Sequence, residues 1–151
     1  MITNVLSIGG TDPSGGAGIQ ADLKTFSALG GYGAAVVSAL VAQTTTGVAG
    51  IHEVPAGFVT AQLSTLLGDV RVDAVKIGML GCAAVIEAVA AALERYDVGY
   101  VVLDPVMVAK SGDRLLAADA VAALRERLLP RADVITPNLP EAAELLGESE
   151  A

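Results

Sequence analysis

The chain has 151 residues, room for one domain with a sizeable core and too few for two ordinary domains. A formal net charge of -8 argues against a nucleic-acid or anionic-membrane partner, both of which need clustered Lys and Arg. No apolar run reaches the roughly 18 residues that cross a bilayer, and no basic segment precedes the first apolar stretch, so a soluble, cytoplasmic protein is expected. The single cysteine, Cys82, and single histidine, His52, exclude an internal disulfide and speak against a Cys/His zinc site; Cys82 is expected to be a small buried residue.

Asn4 to Ile8 is a short apolar segment closed by Gly9 and Gly10 and reads as a first strand. The stretch that follows, Gly9 to Thr25 (GGTDPSGGAGIQADLKT), is a glycine-rich turn running into a helix. In an open parallel sheet ligands bind beyond the carboxyl ends of the strands, so this loop is a candidate ligand site. Gly10 and Gly15 have the spacing of a P-loop, but Gly16 and Ala17 stand where Lys and Ser or Thr are needed. Gly16, Gly18 and Ala21 match a dinucleotide fingerprint, yet the second strand ends in Val41, Ala42 and Gln43 with no acid for a ribose hydroxyl. The hydrogen-bonding groups that remain are Thr11, Asp12 and Ser14; a tight turn without a ligand is the plain alternative.

The helix after the loop carries Ile19, Leu23 and Phe26 on one face, with Asp22 at the edge of that stripe. Asp22 either points into the site or is an acid favoured near a helix N-terminus. Gly33 to Ala42 reads as a strand covered on both faces, ending at Gln43, which is either a solvated strand terminus or a carboxamide offering the donor and acceptor that an aminopyrimidine edge presents in reverse. Pro55 opens a helix with Val59, Leu63, Leu66, Leu67 and Val70, and Asp73 to Ile77 is a third strand running into Gly78 and Met79, a core residue or a pocket wall. Val85, Ile86, Val89 and Leu93 mark a third helix. Gly99 to Leu103 is a fourth strand followed at once by Asp104 and Pro105, and this acid is either a turn cap or a magnesium ligand. The loop Val106 to Arg114 contains Lys110, and it is either an ordinary exposed connection or a segment that folds over a phosphate with Lys110 as its charge. Val121, Leu124 and Leu128 mark a fourth helix and Ala132 to Thr136 a fifth strand. Asn138 and Glu141 then stand three apart at a helix start, either as a capping box or as a polar pair that orders water, magnesium or phosphate.

Strands and helices in strict alternation predict a three-layer α/β/α fold with a mostly parallel, doubly wound sheet. The polar features singled out all fall after strands, on one edge of that sheet.

The runs GGTDPSGGAGIQADLKTFSALG, VAQTTTGV, VKIGML, VVLDPVMVAKSGD and LLPRADVITPNLPEAAELL resemble, from about Val5 to Leu146, the hydroxymethylpyrimidine and phosphomethylpyrimidine kinases of thiamin biosynthesis. The resemblance implies a ribokinase-like fold and magnesium-dependent transfer of the ATP γ-phosphate to the hydroxymethyl group of a pyrimidine and then to its monophosphate. It assigns Gln43 to the aminopyrimidine edge, Gly10, Asp22, Met79 and Val106 to the surroundings of the ring and its hydroxymethyl group, and Asp104 to the phosphates and magnesium. Asn138 and Glu141 match an NxxE element of the nucleotide and metal site. Lys110 is expected beside the phosphates. The family's glycine-rich anion hole, catalytic base and most of its adenine site have no counterpart here, so the chain is expected to be the N-terminal part of a single kinase domain, truncated after the fifth strand and its helix. A pyridoxal-type vitamin kinase and a non-catalytic pyrimidine-binding fragment are the alternatives, and a homodimer is implied by the resemblance alone.

Overall fold

A computed structural model describes residues 1–109, 111–112 and 114–147. The elements in chain order are β1 (Asn4–Gly10), α1 (Gly18–Ala28), β2 (Tyr32–Gln43), β3 (Val48–Glu53), α2 (Ala56–Leu67), β4 (Ala74–Ile77), α3 (Ala83–Arg95), β5 (Tyr100–Leu103), α4 (Ala120–Ala123), β6 (Val134–Ile135) and α5 (Leu139–Leu146). They form one six-stranded sheet in the order β3-β2-β1-β4-β5-β6. All neighbours are parallel except β2 and β3, so the α/β, parallel-dominated class is as expected.

Strict alternation fails at one place, where β2 turns directly into β3 as an antiparallel hairpin, with Ala39 opposite Glu53 and Gln43 opposite Val48. The expected fifth strand is therefore the sixth. VAGIHE was missed because most of it is exposed and it has neither a β-branched run nor a clean alternation. The far end of β2 is likewise not covered on both faces, since Leu40 is 51% exposed. The second helix stops at Leu67, leaving Val70 in the turn behind it, and α4 runs on through a π-helical turn, Leu124–Leu128. Cys82 is half-buried at the N-terminus of α3.

The core lies mainly on one side of the sheet, where Leu6 and Ile8 of β1 and Ile77 of β4 meet Leu63 of α2 and Ile86 and Val89 of α3. α1 instead packs on β1 and β2. Right-handed crossovers account for this arrangement, because the chain leaves β1 for β2 on one side and later reaches β4 on the other, so the intervening helices fall on opposite faces. The carboxyl end of β1 is thus a topological switch point, and the crevice there is where the site forms.

β2 begins pairing with β3 only at Ala39, which leaves the outer edge of Val37 bare of strand partners. Gln62 of α2 fills the gap: its Oε1 accepts the Val37 N–H at 2.9 Å and its Nε2 donates to the Val37 carbonyl at 3.0 Å. Replacing Gln62→Ala leaves both backbone groups unpaired and is expected to lower stability by about 1–3 kcal/mol in urea unfolding; an unchanged midpoint would show that water replaces the carboxamide without loss.

Candidate functional site

The glycine loop is organised by its own acid. Asp12 is 2% exposed, and its carboxylate accepts from the Ser14 N–H at 2.9 Å, the Gly16 N–H at 3.1 Å, the Ala17 N–H at 2.8 Å and the Ser14 hydroxyl at 2.8 Å. The Asp12 N–H in turn donates to Gln20 Oε1 at 2.7 Å. The amides that a P-loop would offer to a phosphate are turned on this internal carboxylate, which also satisfies the first N–H groups ahead of α1. Gly18 is indispensable to the turn, because it has φ of +58° and an added Cβ would lie 2.5 Å from the Gly10 carbonyl oxygen. At the loop's start β1 bulges at Gly9/Gly10, and the Thr11 hydroxyl takes over as acceptor for the Val41 N–H at 2.9 Å.

Beyond the loop lies a cavity of about 650 Å³ lined by Gly10, Asp22, Gln43, Met79, Asp104 and Val106 among others. Six residues singled out from the sequence therefore converge on one space. Its apolar wall is a small cluster separate from the main core, built on Ala39, Val41 and Met79 with Val106 and Leu115 against them. Met79 is set by its backbone, whose carbonyl accepts from the buried Ser38 hydroxyl at 2.5 Å. A Cβ at Gly10 would stand 3.1 Å from Met79 Sδ and 3.4 Å from Val41 Cγ2, so glycine here keeps the wall open. Gln43, at the end of β2, makes no side-chain hydrogen bond with any described residue, leaving its donor and acceptor for a ligand.

Another part of the lining is charged. Asp22 Oδ2 accepts from the Ser7 hydroxyl at 2.7 Å and pairs with Lys76 Nζ at 3.2 Å, while Asp104 Oδ2 stands 3.7 Å from the same ammonium. Sequence reasoning passed over both Ser7 and Lys76. The signal was a Lys and a Ser inside strands that are otherwise apolar, positions where polar groups are rare unless they are paired. The loop after β5 folds back on itself through a bridge between Val108 and Arg114, bringing Val108, Ala109 and Ser111 to the cavity. Lys110 lies outside the described residues.

Asn138 and Glu141 do not line this cavity. They close a capping box on α5, with Asn138 Oδ1 accepting the Glu141 N–H at 2.9 Å and Glu141 Oε2 accepting the Asn138 N–H at 3.0 Å. Among the described residues no group of three or more His, Cys, Asp or Glu comes together to hold a metal. Magnesium takes one or two carboxylates and completes its shell with water and phosphate, so the Asp104 carboxylate, with its side chain 33% exposed at the cavity, fits such an ion. Glu141 is less available, being buried with one oxygen committed to the cap.

Burial pushes the Asp12 carboxyl up, but the hydrogen bonds from the Ser14 hydroxyl and from the N–H groups of Ser14, Ala17 and Gly16 outweigh it and hold it below the ordinary carboxylate value. A carboxyl depressed in the folded state stabilises above its unfolded pKa, and that contribution is lost as pH falls through the folded pKa. Asp12→Asn is therefore expected to be less stable than the parent at pH 7 and to lose less of its stability on acidification below about pH 4, as read by thermal unfolding across pH. Parallel curves for the two proteins would show that Asp12 titrates alike folded and unfolded.

Comparison with known proteins places this architecture. The chain is 62% identical over 143 residues to hydroxymethylpyrimidine/phosphomethylpyrimidine kinase of Escherichia coli K12, covering 95% of this chain and 54% of that protein. The crystal structure of phosphomethylpyrimidine kinase from Clostridium difficile 630 superposes with a TM-score of 0.90 at 43% identity, covering 99% of this chain and 65% of that one. Pyridoxal kinase from Staphylococcus aureus in complex with AMP-PCP and pyridoxal gives a TM-score of 0.87 at 37% identity, covering 100% of this chain and 54% of that one. The chain thus spans about half the length of the curated relatives it matches. The same loop, strand ends and helices that build the cavity lie almost wholly within residues 12–151, over which the chain matches the phosphomethylpyrimidine kinase family model, and it belongs to that family.

Proposed function

We propose that this chain supplies the pyrimidine-binding half of an ATP-dependent kinase of thiamin biosynthesis, acting in the cytoplasm on 4-amino-5-hydroxymethyl-2-methylpyrimidine and then on its monophosphate. The observation that carries the reading is the cavity itself: an apolar wall from Val41, Met79 and Val106, with the Gln43 carboxamide, which no described residue engages, in the same lining. A heteroaromatic ring needs such a wall, and an amino group beside a ring nitrogen pairs with a carboxamide through one donor and one acceptor. Asp22, held by Ser7 and Lys76, lines the same space, and in this reading it accepts from the substrate hydroxyl and so orients it.

In the transfer, the substrate oxygen forms a bond to the γ-phosphorus, the bond to the β-phosphate oxygen breaks, and the hydroxyl proton leaves to a base. Positioning and charge stabilisation do most of the work in such steps. Asp104 would hold the magnesium ion, which neutralises charge on the phosphates. Asn138 and Glu141 contribute at the nucleotide side in this reading, and their capping box keeps the α5 N-terminus ordered for it.

The test is titration calorimetry of the chain with the aminohydroxymethylpyrimidine and, separately, with pyridoxal. Preferential binding of the pyrimidine, with Gln43→Leu weakening it by about tenfold to a hundredfold, is the expected result. Tighter binding of pyridoxal would move the assignment to a pyridoxal-type kinase, a second reading that the TM-score of 0.87 to the Staphylococcus aureus enzyme supports less strongly than the 0.90 to the Clostridium difficile enzyme supports the first; an unchanged affinity in the Gln43 variant would remove Gln43 from ring recognition.

A further inference from the structure

Lys76 is the only cation among the described residues that line the cavity, where it faces the carboxylates of Asp22 and Asp104. It sits inside β4, flanked by buried Val75 and Ile77, with its side chain 25% exposed. A Cβ at Gly78 would lie 3.1 Å from Lys76 Nζ, so the glycine that follows the strand gives the ammonium its room. An ammonium has three donors. One reaches Asp22 at 3.2 Å, a second points towards Asp104 at 3.7 Å, and the third has no partner among the described residues.

We propose that Lys76 is the specificity-determining residue that lets one cavity accept a phosphorylated pyrimidine as well as the neutral alcohol. The inference rests on the pyrimidine-kinase reading, in which both species are substrates. They share the ring and differ at one carbon, where a neutral hydroxyl is replaced by a phosphate carrying close to two negative charges at neutral pH. Without Lys76 that phosphate would meet two carboxylates and no compensating side-chain charge among the described residues that line the cavity. With it, the ammonium neutralises one acid and turns its free N–H to the phosphate, a charge-assisted hydrogen bond that the alcohol cannot exploit to the same degree. Scaffolding of Asp22 is not the main role, because the Ser7 hydroxyl holds the same Oδ2 at 2.7 Å independently of Lys76.

The experiment is calorimetry of the chain with the alcohol and with its monophosphate, for the parent, Lys76→Gln and Lys76→Arg, with thermal unfolding as a check on folding. Lys76→Gln is expected to weaken both ligands but to weaken the monophosphate at least about tenfold more, with Lys76→Arg recovering most of the difference. In the parent, raising ionic strength is expected to weaken the monophosphate and leave the alcohol nearly unaffected, a readout that needs no variant. Equal losses for both ligands in Lys76→Gln, or a salt-insensitive monophosphate affinity, would overturn the role of Lys76 while leaving the pyrimidine reading intact. A parent chain that binds neither ligand would overturn both.

Discussion

Everything at the site depends on how the backbone donors of the glycine loop are satisfied. Gly9 to Gly18 packs many small residues between β1 and α1, and such a loop would be loose without an acceptor inside it. The Asp12 carboxylate is that acceptor, gathering the amides of Ser14, Gly16 and Ala17. It thereby launches α1 at a defined angle across the sheet, which puts Asp22, in the second turn of the helix, over Ser7 of β1 and Lys76 of β4. The same carboxylate removes the loop from the class of phosphate cradles, since those amides are no longer free. A loop that looks like an anion site in composition is, in its hydrogen bonding, the support of a different site.

The cavity separates stability from recognition. The large core between the sheet and helices α2, α3 and α4 buries most of the aliphatic side chains, whereas the apolar wall of the cavity is a small detached cluster around Val41 and Met79. Substitutions in that wall reshape the pocket without emptying the main core. The polar part of its lining is a chain of charges in a partly desolvated space, where each group limits its neighbour: Ser7 and Lys76 share Asp22, and Lys76 divides its ammonium between Asp22 and Asp104. An apolar surface and an ordered polar one lining the same space restrict the orientations of any small ring that enters it.

Sequence periodicity was enough to place β1, β2, β4 and β5 and helices α1 to α4, because each buries a stripe or a face whose spacing follows from its own geometry; β6 was placed by its apolar run although both its residues are exposed, and α5 by the spacing of Asn138 and Glu141 at its start. It missed β3, whose exposed residues carry no such constraint and whose strand character comes only from pairing with β2. The convergence of Gly10, Asp22, Gln43, Met79, Asp104 and Val106 was legible too, since a parallel sheet brings strand ends to one edge and the family resemblance named the residues.

Other features required the folded chain. Asn138 and Glu141 at their spacing fit a cap or a ligand site equally well, and the structure closes them on each other's backbone. Lys76 and Ser7 gave a signal in the sequence only as polar interruptions of apolar strands. Their meeting with Asp22 and Asp104 joins groups as far as 97 positions apart, from Ser7 to Asp104, and depends on strand order, register and the angle of α1. Local pattern by itself determined which elements form and which strand ends carry chemistry. Which side chain faces which across the switch point was decided by tertiary packing, because electrostatic partners are selected by distance in space, on which sequence separation places almost no constraint.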